Sequence, residues 1–182
     1  MRDKQLLYGF DGKEPKSGKD TYISHLAFVI GDVRIGDNCY IGHGAILRGD
    51  YGSIHIGSGT AIEEGVIIHA PPKKICKIGA KVTIGHGAII HASAIGNLSV
   101  IGMGAVLSIY SEVRKNTIVA EGSVVKMRQV IPGGVVVGGN PAKIIRKISS
   151  KDEEYWSMAK ELYINLAKEY LTLGLKQVGR GR

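Results

Sequence analysis

Of the six histidines in this chain of 182 residues, three are close together among aliphatic residues. His69 follows Ile68 and His91 follows Ile90, each closing the string IIH, whereas His86 comes two places after Ile84 in IGHG. Imidazole is a common zinc ligand, and three neutral imidazoles leave a tetrahedral ion one open position for water. Water held there becomes a nucleophile near neutral pH, so the residue types suit metal-assisted attack on an electrophilic carbon. Two charged groups flank the set in sequence: Arg48 and Asp50 of the string RGD, and the adjacent pair Glu63 and Glu64. Cys39 and Cys76 are the only cysteines, too few for a disulfide framework. Cys39 takes a repeat position held elsewhere by Ala45 and Ala88 and reads as a small buried corner residue, and Cys76 reads as an inert loop thiol in PPKKICK rather than a ligand.

The elements that must position these side chains are set by an internal period. Ile-Gly pairs begin at Ile30, Ile35, Ile41, Ile56, Ile78, Ile84, Ile95 and Ile101, and aliphatic residues such as Leu47, Ile62, Ile68, Ile90, Leu107 and Val119 fill the slots between them. A spacing of six suits neither an amphipathic helix nor a long alternating strand, but it suits short strands separated by regular turns. Two gaps are longer, Leu47 to Ile56 and Ile68 to Ile78, so the segments GDYGS and APPKKIC are expected to bulge outward while the repeat continues beneath them.

Units such as IGDNCY, IGHGAI, IGSGTA and IGMGAV resemble the hexapeptide-repeat superfamily. The resemblance implies an all-β solenoid, a left-handed parallel β-helix built as a triangular prism, three hexapeptides to a coil, with a C-terminal α-helix packed on it. The expected boundaries are a lead-in segment over 1–20, the β-helix over 21–140, a connector over 141–148 where Pro141 breaks strand geometry, a helix over 149–173, and a tail over 174–182 ending in a disordered GRGR. A capping box of Ser150 and Glu153 is expected to start the helix, with Tyr155, Ala159, Leu162, Tyr163, Leu166 and Tyr170 as the stripe that packs on the prism.

With three units to a coil, His69 and His91 stand at one position of one face on adjacent rungs, about 4.8 Å apart along the axis. Arg48 falls in the same column. His86 shares a different slot with Glu64 and His43, on the preceding face, so it cannot readily join the other two within one chain. A threefold trimer resolves this by presenting a neighbour's His86, which makes each metal site intersubunit. The same packing sets Arg48 against the neighbour's Glu64. His25, His43 and His55 are expected to be solvated or hydrogen-bonded.

The strings LRGDYGSIHIGSGT, TAIEEGVIIH and TIGHGAIIHASAIGNLSVIGMGAV resemble the gamma class of carbonic anhydrases, in particular its branch of phenylacetate- and carnitine-pathway accessory proteins. The resemblance implies metal ligation by His69, His86 and His91, roles for Arg48 and Asp50 as a buried Arg and Asp, and reversible hydration of carbon dioxide to bicarbonate by a metal-bound hydroxide at a trimer interface. It implies zinc, with iron or cobalt able to use the same ligands. Glu63 takes the slot where the family usually has a Gln that orients the hydroxide, and Ala61 replaces an Asn. Glu63 is expected to lie near the metal, where its ionised form would raise the pKa of the bound water or ligate directly. The long acidic loop of the best-known members is replaced by APPKKICK.

Two other functions compete. Many hexapeptide-repeat proteins transfer acetyl groups from acetyl-CoA with one histidine base, and a metal-binding accessory to a CoA-dependent pathway needs no catalysis. The net charge of +8 is scattered from Lys4 to Arg182 without an aromatic-interleaved basic stripe, which argues against nucleic acid as a partner. No segment reads as a signal peptide or a membrane span, so cytoplasmic residence is expected.

Overall fold

The computed structural model describes residues 6–91, 94–176 and 178. Most strands in it are two residues long, because each hexapeptide supplies one inward aliphatic side chain, one outward neighbour and a turn. On one face of the prism Tyr22–Ile23, Tyr40–Ile41, Ala61–Ile62, Thr83–Ile84, Val100–Ile101, Ile118–Val119 and Val135–Gly138 pair in parallel, each with its equivalent one coil away. On the next face the column runs from Ile46–Ile56 through Ile67–His69, Ile89–Ile90 and Val106–Leu107 to Val124–Val125. The remaining face is built from the second half of Ile46–Ile56 with Ile75–Ile78, Ala94–Ile95, Glu112–Val113 and Val130–Ile131. The result is the expected left-handed parallel β-helix, of about seven turns.

The inward residues form axial stacks: Ile41, Ile62, Ile84 and Ile101 on the first face and Leu47, Ile68, Ile90 and Leu107 on the second are all fully buried. Full burial of each contributes roughly 1.5–3 kcal/mol. Turns between faces need positive φ, and Gly87, directly after His86, supplies it at +67° while its N–H donates to the Glu64 carbonyl in the coil below. The preceding slot is tight: a Cβ at Gly85 would lie 2.9 Å from the Met103 nitrogen. Glu63 occupies the equivalent slot one coil earlier.

Several expectations are corrected. The lead-in is part of the solenoid, since Leu6–Tyr8 pairs with Phe28–Ile30 and Lys16–Ser17 with Arg34–Ile35. The GDYGS segment does not bulge; it lies inside the 11-residue strand Ile46–Ile56, which bends round the corner against Phe28–Ile35 below it. Successive coils carry extra residues at the same corner, so those residues pair with one another, and only Pro71–Lys74 makes a separate turn, with Lys73 N–H donating to the Tyr51 carbonyl. The connector holds a strand, Lys143–Lys147, antiparallel to Val135–Gly138.

Helix α1 (Ser150–Leu173) starts one residue earlier in its cap than expected. Ser149 and Asp152 form the capping box because Asp152 is also gripped by both terminal nitrogens of Arg146, at 2.6 and 2.9 Å, while Glu153 turns aside to accept from the Asn116 amide. The helix lies along the first face, where Tyr163, Leu166, Ala167 and Tyr170 cover Tyr22, Tyr40 and Ala61. Tyr155 and Leu162, expected in the packed stripe, are exposed, and the buried side of the helix instead includes Lys160. The GRGR tail lies outside the described residues.

Candidate metal centre

Ile68 and Ile90 point inward, so strand alternation turns the residue after each outward. The outward residues are His69 and His91, whose rings stack at a centroid separation of 4.9 Å and an interplanar angle of 17°. Nε2 of each ring is buried, and neither has a hydrogen-bond partner among the described residues. Burial lowers the pKa of both, and Arg48 adds to the effect, as His91 does on His69. Two adjacent imidazoles are therefore held toward the neutral form that ligates metal.

Arg48 pairs in register with His69 and anchors this column from below. Its Nη1 donates to Asp50 Oδ2 and its Nη2 reaches His69 Nδ1, both at 3.2 Å. A guanidinium is only a donor, so the neutral His69 that accepts from it carries its proton on Nε2, the nitrogen that faces Asp50 Oδ1 at 3.5 Å. Metal ligation through Nε2 would move that proton to Nδ1 and oblige Arg48 to turn away.

His86 stands on the corner after Thr83–Ile84, directly above Glu64. Its Nδ1 lies 2.9 Å from Glu64 Oε2 and its Nε2 3.1 Å from Glu63 Oε2. The structure thus holds two separate clusters on one chain, the His69–His91 column and the His86 corner. Among the described residues, no three His, Cys, Asp or Glu side chains of one chain gather closely enough to hold an ion.

Comparison with known proteins decides the family. The chain is 41% identical over 173 residues to a mitochondrial gamma carbonic anhydrase 2 of Arabidopsis thaliana, covering 92% of this chain and 62% of that protein. It is 35% identical over 160 residues to a carnitine operon protein, CaiE, of a Proteus species, covering 88% and 81%. The chain belongs to the gamma carbonic anhydrase-like family. Residues 18–49 also match the family described as bacterial transferase hexapeptide (six repeats). Among solved structures, a hexapeptide transferase family protein from Anaplasma phagocytophilum superposes with a TM-score of 0.85 at 31% identity, covering 91% of this chain and 98% of that one. The chain spans under two thirds of the length of the plant relative.

Within this family frame the departures are concrete. Glu63 is buried beside His86, on a different corner from the His69 column, and accepts the His86 backbone N–H at 3.1 Å. Burial pushes its pKa up, against the Tyr163 hydroxyl and His86, which pull it down. The net direction is upward, because burial is the largest of these influences. Glu64 goes the other way, because the Tyr40 hydroxyl donating at 2.6 Å, a backbone N–H and His86 outweigh its burial and lower its pKa. Adjacent carboxyls are thus driven apart in acidity by different burial and different donors. Tyr40 and Tyr163 were missed in the sequence. The signal for Tyr163 was the aromatic stripe of the helix, which fixed that it packs but not where, and that for Tyr40 was the repeat register, which sets it beside Ala61 one coil away.

Within one chain Glu64 and Arg48 do not meet; Glu64 holds His86 and Tyr40, and Arg48 holds Asp50 and His69. Cys76 is in the strand Ile75–Ile78 rather than a loop, and burial pushes its thiol up to about 12, which leaves it inert at neutral pH. Cys39 is fully buried, as expected of a corner residue. His43 shares the slot of His86 but is tied to Ser24 Oγ at 2.6 Å and packs edge-on to Tyr170. His25 lies on a turn and His55 on the face in register with Arg34 and Lys77.

Proposed function

We propose that this protein is a metal-dependent, carbonic anhydrase-like lyase interconverting carbon dioxide and bicarbonate, with each site completed between subunits of a homotrimer. The observation that supports it is the stacked pair His69 and His91, whose buried Nε2 atoms make no close hydrogen bond among the described residues, that of His69 having only Asp50 Oδ1 at 3.5 Å. Groups of that kind are costly unless a partner is supplied, and a cation is the partner that two neutral imidazoles suit. His69 and His91 of one chain would hold the ion together with His86 of a neighbour, and zinc, iron and cobalt all accept this donor set. When bound, such an ion acidifies a water enough for it to attack carbon dioxide near neutral pH.

The chain's own residues have separable tasks in this reading. Asp50 holds the Arg48 guanidinium, and Arg48, once released from His69 Nδ1, is positioned to meet a neighbouring chain's Glu64 in the interface. Glu63 fixes the His86 backbone by accepting its N–H. In its neutral form Glu63 both donates and accepts, which is the hydrogen-bonding capacity of the Gln it replaces. The two adjacent carboxyls differ in acidity, Glu63 shifted up and Glu64 shifted down, so Glu63 holds a proton more readily than Glu64.

The test is metal content and carbon dioxide hydration measured on one untagged preparation. About one metal per chain with hydration well above buffer supports the reading; metal-free protein without activity overturns it. Acyl transfer is the second reading, supported by the match to the transferase hexapeptide family and by the Anaplasma structure. Consumption of acetyl-CoA, unaffected by chelator, would favour it. Metal without either activity would favour a binding accessory, as the similarity to a carnitine operon protein allows.

A further inference from the structure

A second concave site lies away from the histidines, between α1 and the first face of the prism. The cavity is about 250 Å³, and Leu98, Val100, Ile118, Ile148 and the Trp156 ring supply most of its wall. Its one deeply buried polar group is Lys160. The residue is 4% exposed, its Nζ has no hydrogen-bond partner among the described residues, and its nearest described neighbour of note is the Trp156 ring, 5.4 Å from the amine.

The other charges at the rim are already matched. Asp152 is held by Arg146, Glu153 accepts from Asn116, and Glu161 pairs with Lys81 at 3.2 Å. Lys160 is thus a cation without a counterion, aimed into an apolar cavity. Burying an ammonium in this way is unfavourable unless an anion meets it. Burial lowers its pKa to about 8, which still leaves the amine mostly charged at pH 7. The alternative explanation, a lysine that extends its amine to solvent along an apolar stem, is excluded by the burial of the whole residue.

We infer that this cavity binds a small monocarboxylate with an apolar body, its carboxylate on Lys160 Nζ and its hydrocarbon against Trp156, Val100 and Ile118. The volume is below that of a pocket for a drug-sized ligand, which limits the occupant to a short chain or a single ring. The inference does not rest on the carbonic anhydrase reading, since no candidate metal ligand lines the cavity.

Trp156 is the chain's only tryptophan, so its fluorescence reports the site directly. Hexanoate should change that fluorescence saturably at pH 7, and hexanol, with the same body and no charge, should bind at least tenfold more weakly. Lys160→Met should weaken hexanoate at least tenfold while leaving hexanol within threefold, which would also show that the cavity survives. If Lys160→Met does not fold by circular dichroism, Lys160→Gln serves as the second variant with the same expectation. A response that does not saturate, equal binding of hexanol and hexanoate, or unchanged hexanoate affinity in the folded variant overturns the inference.

Discussion

His69 and His91 differ from the other histidines in what their nitrogens meet, and that difference yields a test. His43 has a hydroxyl on Nδ1 and a tyrosine beside it, so its ring is satisfied as it stands. His91→Ala should therefore lower metal content per chain at least tenfold, measured by elemental analysis, whereas His43→Ala should keep the metal and cost only the roughly 1 kcal/mol of a lost hydrogen bond. Equal metal loss in both would remove His91 from the ligand set. Glu63 gives a second contrast. Glu63→Gln keeps an acceptor for the His86 N–H and should melt close to wild type, while Glu63→Ala strands that donor and should cost about 1–3 kcal/mol in denaturant unfolding. The column of Arg48, His69 and His91 was legible in the sequence because the repeat register, with the three units to a coil that the resemblance implies, fixes which outward residues stack. The hold of Tyr163 on Glu63 was not, since it depends on the rotation and height of a helix that no repeat constrains.

At the scale of elements, the prism was readable because every hexapeptide repeats the same inward aliphatic residue, so a slip of register would misplace a whole stack. The departures from expectation occur where neighbours compensate locally. The extra residues after Leu47 found partners at the same corner of adjacent coils, and the helix cap moved to Ser149 because Arg146 drew Asp152 toward it. The helix stripe also differs from expectation, with Tyr155 and Leu162 exposed and Lys160, a residue type seldom buried, on the packed side. That burial has a consequence for stability. Lys160 has a folded pKa of about 8, below its ordinary 10.5. Below pH 8 both folded and unfolded chains hold the proton and the folded state bears the full desolvation cost. Between about pH 8 and 10.5 the unfolded chain binds more protons, so stability from this group rises with pH. Lys160→Met should be more stable than wild type at pH 7 by up to about 3 kcal/mol, and the advantage should shrink by pH 10. Parallel stability curves across that range would show that the amine is not buried in solution.

The whole molecule carries the His69–His91 column and His86 on different corners, and under the proposed function that arrangement completes a site only in an assembly. Among the described residues no helix is long and apolar enough to cross a membrane, and the prism offers long flat faces and corners for contact between copies. In a cyclic trimer each interface joins one chain's column to the next chain's His86, so a site needs intact His69 and His91 on one side and intact His86 on the other. Trimers made only of His69→Ala chains have no complete site, and neither do trimers made only of His86→Ala chains. A mixed trimer has one junction, and only one, where an intact column meets an intact His86. Random co-assembly of equal amounts of the two variants should then restore about one quarter of the sites, since about three quarters of trimers are mixed and each regains one site of three. Metal content and hydration should both recover to about that level, with native mass spectrometry reporting trimers throughout. An intrachain site would behave differently, because every chain in the mixture lacks one ligand and no assembly could restore it. Recovery that stays at the level of the separate variants, in mixtures shown to have exchanged subunits, would refute the intersubunit arrangement and with it the requirement for a trimer.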